Sequence, residues 1–347
     1  MTDFQDSLPQ GREFLFCGLS GIPECITSWR DEIEVPNKSI GYSEVDGFTV
    51  LYGGDDSVVV VKSNAIFDSL EVLRAKLSAV ESMGIGIEIA SITEVACEGI
   101  DGALGRFASL GYTPSYVYRE DKKVGICSTF GEVTQQLNEL TILRYLIMKY
   151  CEKASFLPIT EGGCGFGLDI KLYGDRELSS QFLAGIILHS PECTIFTNSS
   201  HPSYVRLNSS NCAHYVSYGK IDSVTHRVEF CRDYITVRIR YMDNTGNPYL
   251  LTSAILEAGI MGVSYKATLS DEVQELTPAV SANLVRLPMS LKEALEVSIG
   301  SGFANRVLGE AFSNIFFLKK QKECKAFESI KGESEYAYYY SKLTKKG

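Results

Sequence analysis

The run IGIEIASITEVAC, residues 85–97, alternates β-branched and other side chains in a way that a helix cannot use. Successive side chains of a strand point to opposite faces. The run therefore reads as a strand able to carry side chains into a site on one of its faces. A second alternating segment, VTHRVEFCRDYITVRIRY at 224–241, reads as two strands joined near Arg232 and Asp233 in a tight hairpin turn. Helical periods stand beside these strands. Leu70, Leu73, Leu77 and Val80 recur at helical spacing within 67–83, and Gly84 is a natural stop. VTQQLNELTILRYLIMKYCEKA, 133–154, is apolar on a broad stripe and is expected as one helix packed on the sheet. PYLLTSAILEAGIMGVSY reads as a buried helix, and at least two more helices follow Ser290, one of them running through ANRVLGEAFSNIFFLKKQKECKAFESI. Residues 103–135 show no clear period. Residues 1–66 hold short β-type runs, GFTVLYGG and DDSVVVVKS, between Gly, Asp and Ser turn signals, and are expected to form a small module of their own ahead of a larger domain at 67–347. The pattern predicts an α+β fold.

Composition narrows the function classes. Of 347 residues, 45% are hydrophobic and 22% charged, as in ordinary globular chains. A formal charge of −10 repels a phosphate backbone, which argues against a nucleic-acid partner. No apolar run approaches the ~18 residues that a membrane-spanning helix needs, and no membrane partner is expected. The start, MTDFQDSLPQGREF, has no apolar core of a signal peptide, so a cytoplasmic location is expected. Ten cysteines without a C-x-x-C pair read as reduced, small hydrophobic residues rather than disulfides. His189, His201, His214 and His226 show no metal-binding spacing.

Order and spacing of several motifs carry more information than any one of them. DNTGNPYLLTSAILEAGIMGV is followed by LPMSLKEALE, by LGEAFSNIFFLKKQKECKAFESI and by ESEYAYYYSKL. Upstream lie FTNSSHPSYVRL at 196–207 and FLPITEGGCGFGLDI at 156–170. Together these resemble the glutamine synthetase family over about residues 67–347, and more weakly before that. The resemblance implies an antiparallel sheet flanked by helices, the glutamine synthetase/guanido kinase-like catalytic domain, behind a small N-terminal module of the β-grasp type. It also implies chemistry in which ATP phosphorylates a carboxylate for attack by an amine. Mg²⁺ or Mn²⁺, held by hard oxygen ligands, would neutralise the meeting anions.

Carried over position by position, that implied site is incomplete. The family's metal-binding E-x-E strand motif falls on Ile92 and Glu94, the histidine of its glycine loop on Gly167, and the glutamate of its R-x-E-x-R strand on Arg238. The three side chains that would hold the ATP-side metal are thereby replaced. An arginine at such a position opposes a cation: one pair of like charges ~4 Å apart costs ~4 kcal/mol at an effective dielectric near 20, and a divalent ion doubles this. Ile159 stands for the phosphate-binding lysine, Cys212 for the catalytic glutamate, and Arg227 is the near match to a downstream arginine. Features of the carboxylate pocket persist in Arg206, Gly163 and Arg240, to which Arg238 adds a further cation. Arg206 has two readings, a ligand grip or a brace of the fold. Glu94 and Glu132 are candidate remnants of the second metal's ligands.

Two functions follow from this mapping. In the first, the chain is a degenerate relative without glutamate–ammonia ligase activity, a binder of a small amino acid-like carboxylate or a regulatory subunit, in a homo-oligomeric ring or beside an active relative. In the second, it is an ATP-dependent carboxylate–amine ligase for another substrate, with Mg²⁺ or Mn²⁺ as cofactor and arginines replacing one metal.

Overall fold

A computed structural model describes residues 69–120, 123–159, 164–209 and 212–329, together with the backbone of five short strands outside these ranges. Four of those strands, β1 (Glu13–Phe16), β2 (Glu24–Ile26), β3 (Phe48–Leu51) and β4 (Val58–Val61), form one sheet in the order β2-β1-β4-β3. Its central pair, β1 and β4, is parallel, and the outer pairs are antiparallel.

The second sheet is larger. Its path is β10 (Tyr215–Tyr218), β11 (Val224–Phe230), β12 (Tyr234–Ile239), β9 (Phe166–Tyr173), β5 (Gly86–Glu98), β7 (Val124–Cys127) and β6 (Tyr116–Arg119). Only the β10–β11 pair is parallel. The alternating runs expected as strands are β5 and the β11–β12 hairpin. The far end of β5 turns to pair with β8 (Lys153–Ser155), which in turn pairs with β13 (Thr344–Lys345).

Alternation sorts this sheet into two faces. Ile89, Leu168, Ile170, Leu172, Ile235, Val237 and Ile239 are buried on the back face. They meet α1 (Ser69–Ser82), α3 (Val133–Tyr150), α4 (Arg176–Leu188) and α7 (Pro248–Ser264) in one continuous core. Helix α7 is buried along most of its length, and it crosses α4 at glycines. A Cβ on Gly262 would stand 2.3 Å from the Gln181 carbonyl oxygen and 2.6 Å from the Gly185 Cα. No larger residue allows that approach. Buried Glu257 on α7 then ties in α1 through Lys76 at 2.7 Å and α10 (Phe303–Leu308) through Arg306 at 2.9 Å. A smaller core fills the space between α2 (Ile100–Ser109), α3 and the β5–β8 corner.

Three segments depart from the sequence reading. The run at 133–154 is a helix only to Tyr150; Cys151 is extended, and residues 153–155 join the sheet as β8. The C-terminal run divides at Gly309, whose positive φ of 79° ends α10 before α11 (Glu310–Ser329), and Gly302 at 65° likewise ends α9 (Leu291–Ser301). The aperiodic stretch 103–135 contains most of α2 and the β6–β7 hairpin. Between β9 and β10 lie α4, α5 (Ser190–Thr197) and α6 (His201–Leu207), and α8 (Pro278–Asn283) precedes α9. Among the described residues no helix is long and apolar enough to cross a membrane.

Candidate functional site

Cross-strand partners share a face, so the ladder itself assembles the front of the sheet. Gly167 on β9 lies opposite Ile92 on β5, and a Cβ added to Gly167 would touch the Ile92 side chain at 3.5 Å. One step along the same face, Asp169 lies opposite both Ala90 on β5 and Arg238 on β12. Ile92, Gly167 and Arg238, far apart in sequence, thus occupy neighbouring positions on three adjacent strands.

Arg238 is not a loose cation there. Its Nε and Nη2 donate in parallel to the two carboxylate oxygens of Asp169, each at 2.6 Å. Asp169 is 8% exposed, and the flat fork of the guanidinium matches both of its oxygens. The arginine charge is therefore cancelled within the sheet.

Glu94, two residues beyond Ile92 on the same face, is bound just as closely. Its Oε1 accepts from the Tyr118 hydroxyl at 2.7 Å and pairs with the Lys123 ammonium at 2.9 Å, while its Oε2 accepts the Gly165 N–H at 2.8 Å. Burial pushes this carboxyl up, but Lys123, Tyr118 and Gly165 together outweigh burial and leave it below its usual range. Burial would lower Lys123, yet Glu94 and Glu120 hold its ammonium above the ordinary lysine value. Tyr118 lies flat over Gly125, where a Cβ would meet its ring at 1.9 Å, and burial and Glu94 raise its phenol. Hence Gly125 makes room for the ring that reaches Glu94.

A buried polar brace fixes this corner from behind. Fully buried Arg144 on α3 donates to the Asn244 side-chain oxygen at 2.8 Å, and Asn244 donates to the carbonyls of Glu94 at 3.0 Å and Gly165 at 2.9 Å. The Arg144 guanidinium also covers the Phe166 ring at 5.0 Å.

Arg206, on α6, approaches the same corner. Its Nη2 donates to the carbonyls of Tyr241 at 2.5 Å and Met242 at 2.7 Å, and its Nη1 donates to the Cys212 sulfur at 3.4 Å. A Cβ on Gly165 would lie 3.0 Å from the Glu94 Oε2 and 3.9 Å from the Arg206 Nη1, so the two charged groups flank one glycine. Among the described residues no carboxylate pairs with Arg206, and its Nε is buried without a partner. Both readings of Arg206 thus have a physical basis, since it braces the 241–242 main chain and keeps an unneutralised charge.

The remaining sequence candidates lie elsewhere or are otherwise engaged. Arg240 turns toward the loop before β11, donating to the Ile221 carbonyl at 2.8 Å and pairing with Asp222 at 2.6 Å. Glu132 caps α3, its two oxygens accepting from the N–H groups of Thr134 at 2.9 Å and Gln135 at 2.7 Å. Cys164 and Cys212 are buried, and Ile159 packs beside the smaller core. Gly163 lies outside the described residues. Sequence reasoning missed Lys123, Tyr118 and Asp169. Asp169 alone had a usable signal, because it follows Gly167 by two residues on one strand and must share its face.

Comparison with known proteins agrees with this architecture. Residues 169–339 match the family model "Glutamine synthetase, catalytic domain". The glutamine synthetase of Mycobacterium bovis is 25% identical over 91% of this chain and 76% of its own length. That of Pyrococcus furiosus is 28% identical over 63% of this chain and 56% of its own. The crystal structure of a novel glutamine synthase homolog superposes with a TM-score of 0.75 at 16% identity, covering 97% of this chain and 99% of the homolog. GmaS without ligand also gives 0.75, at 15% identity over 94% and 95% of the two chains. A complex of GmaS with ADP matches to the same extent, covering 97% of this chain and 98% of the other.

Proposed function

We propose that the chain, which is similar to glutamine synthetases, is a degenerate member of that family that lacks glutamate–ammonia ligase activity and uses its cleft to bind a small carboxylate. One observation carries this reading: the front-face charges are neutralised by one another. Arg238 is matched by Asp169, and Glu94 by Lys123.

The donor set does not fit the divalent cations that the family employs. Ile92 and Gly167 offer no side-chain lone pair. Arg238 offers no lone pair and already occupies both oxygens of Asp169, and the Glu94 carboxylate already has an ammonium 2.9 Å away. Among the described residues no three His, Cys, Asp or Glu side chains converge on one point. A cation entering beside Glu94 would have to displace Lys123, and a triphosphate entering without a cation would meet Asp169 and Glu94. Arg206 supports binding of a single carboxylate, since its guanidinium retains a buried unpartnered N–H and faces the glycine that borders Glu94.

Calorimetry tests the proposal. Titration with ATP should give no heat of binding whether or not Mg²⁺ or Mn²⁺ is present, whereas small amino-acid carboxylates should bind without metal and lose that affinity in Arg206→Met. Micromolar ATP binding that requires either metal would overturn the proposal and favour a ligase for a non-standard substrate. On the proposed reading, the protein acts as a binding or regulatory subunit, in a ring of its own copies or beside an active relative.

A further inference from the structure

The helical side of the sheet holds a cavity that the cleft chemistry does not use. It lies between α2, α3 and the β5–β7 pair, and encloses about 310 Å³ counted out to its open mouth. Phe107, Ile126, Leu140 and Leu143, all buried, make its apolar floor. Ser91, Ser128, Gln136 and Glu139 supply its polar wall. Ser91 adjoins Ile92 on β5, so its side chain points away from the face that carries Arg238 and Glu94. The cavity and the cleft are thus on opposite sides of one strand.

Two acceptors in that wall are unmatched. Gln136 is 5% exposed, yet its Oε1 is buried and meets no donor among the described residues. Its Nε2 donates to the Glu139 Oε2 at 3.4 Å, and a Cβ on Gly131 would stand 2.9 Å from that nitrogen. Turning the amide over would set its oxygen against the carboxylate, so the orientation is fixed. Glu139, half-buried and one helical turn further on, also accepts from the Gln135 amide at 2.8 Å, but among the described residues no cation pairs with it. Burial consequently pushes its carboxyl up, and the two amides only partly offset this. Burial, and then the Glu139 charge, raise the Tyr112 phenol as well.

A carbonyl oxygen without a donor and a carboxylate without a cation, beside a buried apolar floor, suit one kind of molecule. We propose that this cavity is a binding site for a small primary ammonium ion with a short alkyl tail. Its head group donates one N–H to the Gln136 Oε1 and another to the Glu139 carboxylate, supplying both missing partners at once. Its tail lies against Phe107, Leu140 and Leu143. An inorganic cation would answer the charge and leave the floor wet, whereas a neutral alcohol would cover the floor and leave the carboxylate uncompensated. The ligand class is therefore a protonated alkylamine. Glu139 repels anions, so this site and the carboxylate site proposed at Arg206 select different molecules.

Calorimetry and saturation-transfer NMR with propylammonium chloride and the full-length protein test this. Affinity in the millimolar range is expected for so small a molecule. Propanol, which has the tail without the charge, and ammonium chloride, which has the charge without the tail, should each bind at least about tenfold more weakly. Glu139→Gln keeps the side chain's shape and removes an uncompensated charge, so it should melt no lower than the parent protein while its affinity for propylammonium falls at least about tenfold. Gln136→Met, which removes the unmatched oxygen, should weaken binding in the same direction. The proposal is overturned if propylammonium binds Glu139→Gln as well as the parent, if propanol binds equally well, or if nothing binds in the millimolar range. Displacement of propylammonium by acetate would place the amine in the front cleft and would overturn it too. Loss of carboxylate binding at Arg206 changes none of these results, so the two proposals fail separately.

Discussion

Replacing Lys123 with methionine removes the charge that stands against Glu94 and keeps most of the side chain's volume. The magnitude follows from the local geometry. The Lys123 and Glu94 side chains are 14% and 18% exposed and 2.9 Å apart. At an effective dielectric of ~20 their gross attraction is ~6 kcal/mol, while releasing the lysine from a partly buried position returns much of that. A hydrogen bond to a charged group contributes about 1.5–3 kcal/mol net, so we expect a loss of about 2 kcal/mol at pH 7. Its pH dependence is the diagnostic part. In the native protein Glu94 lies below its ordinary value, so its stabilising contribution is present above the unfolded carboxylate pKa and is lost as the pH falls through the folded one. In Lys123→Met the burial of Glu94 is opposed only by Tyr118 and Gly165, and its carboxyl shifts upward. The stability gap between the two proteins should therefore be widest at neutral pH and close toward pH 4, where the variant's Glu94 takes up a proton. Urea denaturation across that range measures the gap. A difference that does not change with pH would refute the claim that Lys123 acts on this carboxylate by its charge.

His226 is fully buried, and burial, aided by the nearby Arg240 charge, holds its imidazole down at about 3 against a hydrogen bond to the Ser217 main chain, with the Thr225 hydroxyl 2.8 Å from Nδ1. The unfolded chain takes up a proton near 6.5, so the native state should lose about 2 kcal/mol between pH 6.5 and pH 5, and His226→Phe should flatten that slope in acid denaturation. Gly262→Ala should destabilise by at least about 1 kcal/mol, because overpacking at the α4–α7 crossing exceeds the gain in helix propensity. Gly300→Ala has open space around its added methyl and should stabilise by about 0.5–1 kcal/mol, so thermal melts of the pair should shift in opposite directions.

How far the sequence could be read depended on period and on length. Long elements announced themselves: β5 and the β11–β12 hairpin by alternation, α1 by helical spacing and α7 as a long, buried apolar run. The residues around 103–135 did not, because α2 carries two glycines and β6 and β7 are four residues each, too short for a period to stand out. Lys123 and Tyr118 lie in that stretch, and their reach to Glu94 depends on a hairpin that nothing local predicted. Gly309 could be read as a helix interior until its positive φ placed a break there. At the cleft, the motif order brought Ile92, Gly167 and Arg238 together on paper, and the ladder gives them neighbouring places on β5, β9 and β12. What motifs could not supply was the partner of each charge, since Asp169 and Lys123 answer Arg238 and Glu94 through tertiary pairing alone.

The account depends most on whether a cleft whose charges answer one another still admits a divalent cation. Electron paramagnetic resonance of Mn²⁺ titrated into concentrated protein reads this directly, because bound Mn²⁺ loses the six-line signal of the free aqueous ion. Self-neutralised pairs at Arg238–Asp169 and Glu94–Lys123 predict a signal that stays proportional to added Mn²⁺ through the micromolar range, with ATP or without it. Loss of that signal at micromolar Mn²⁺, restored by Glu94→Gln, would contradict it.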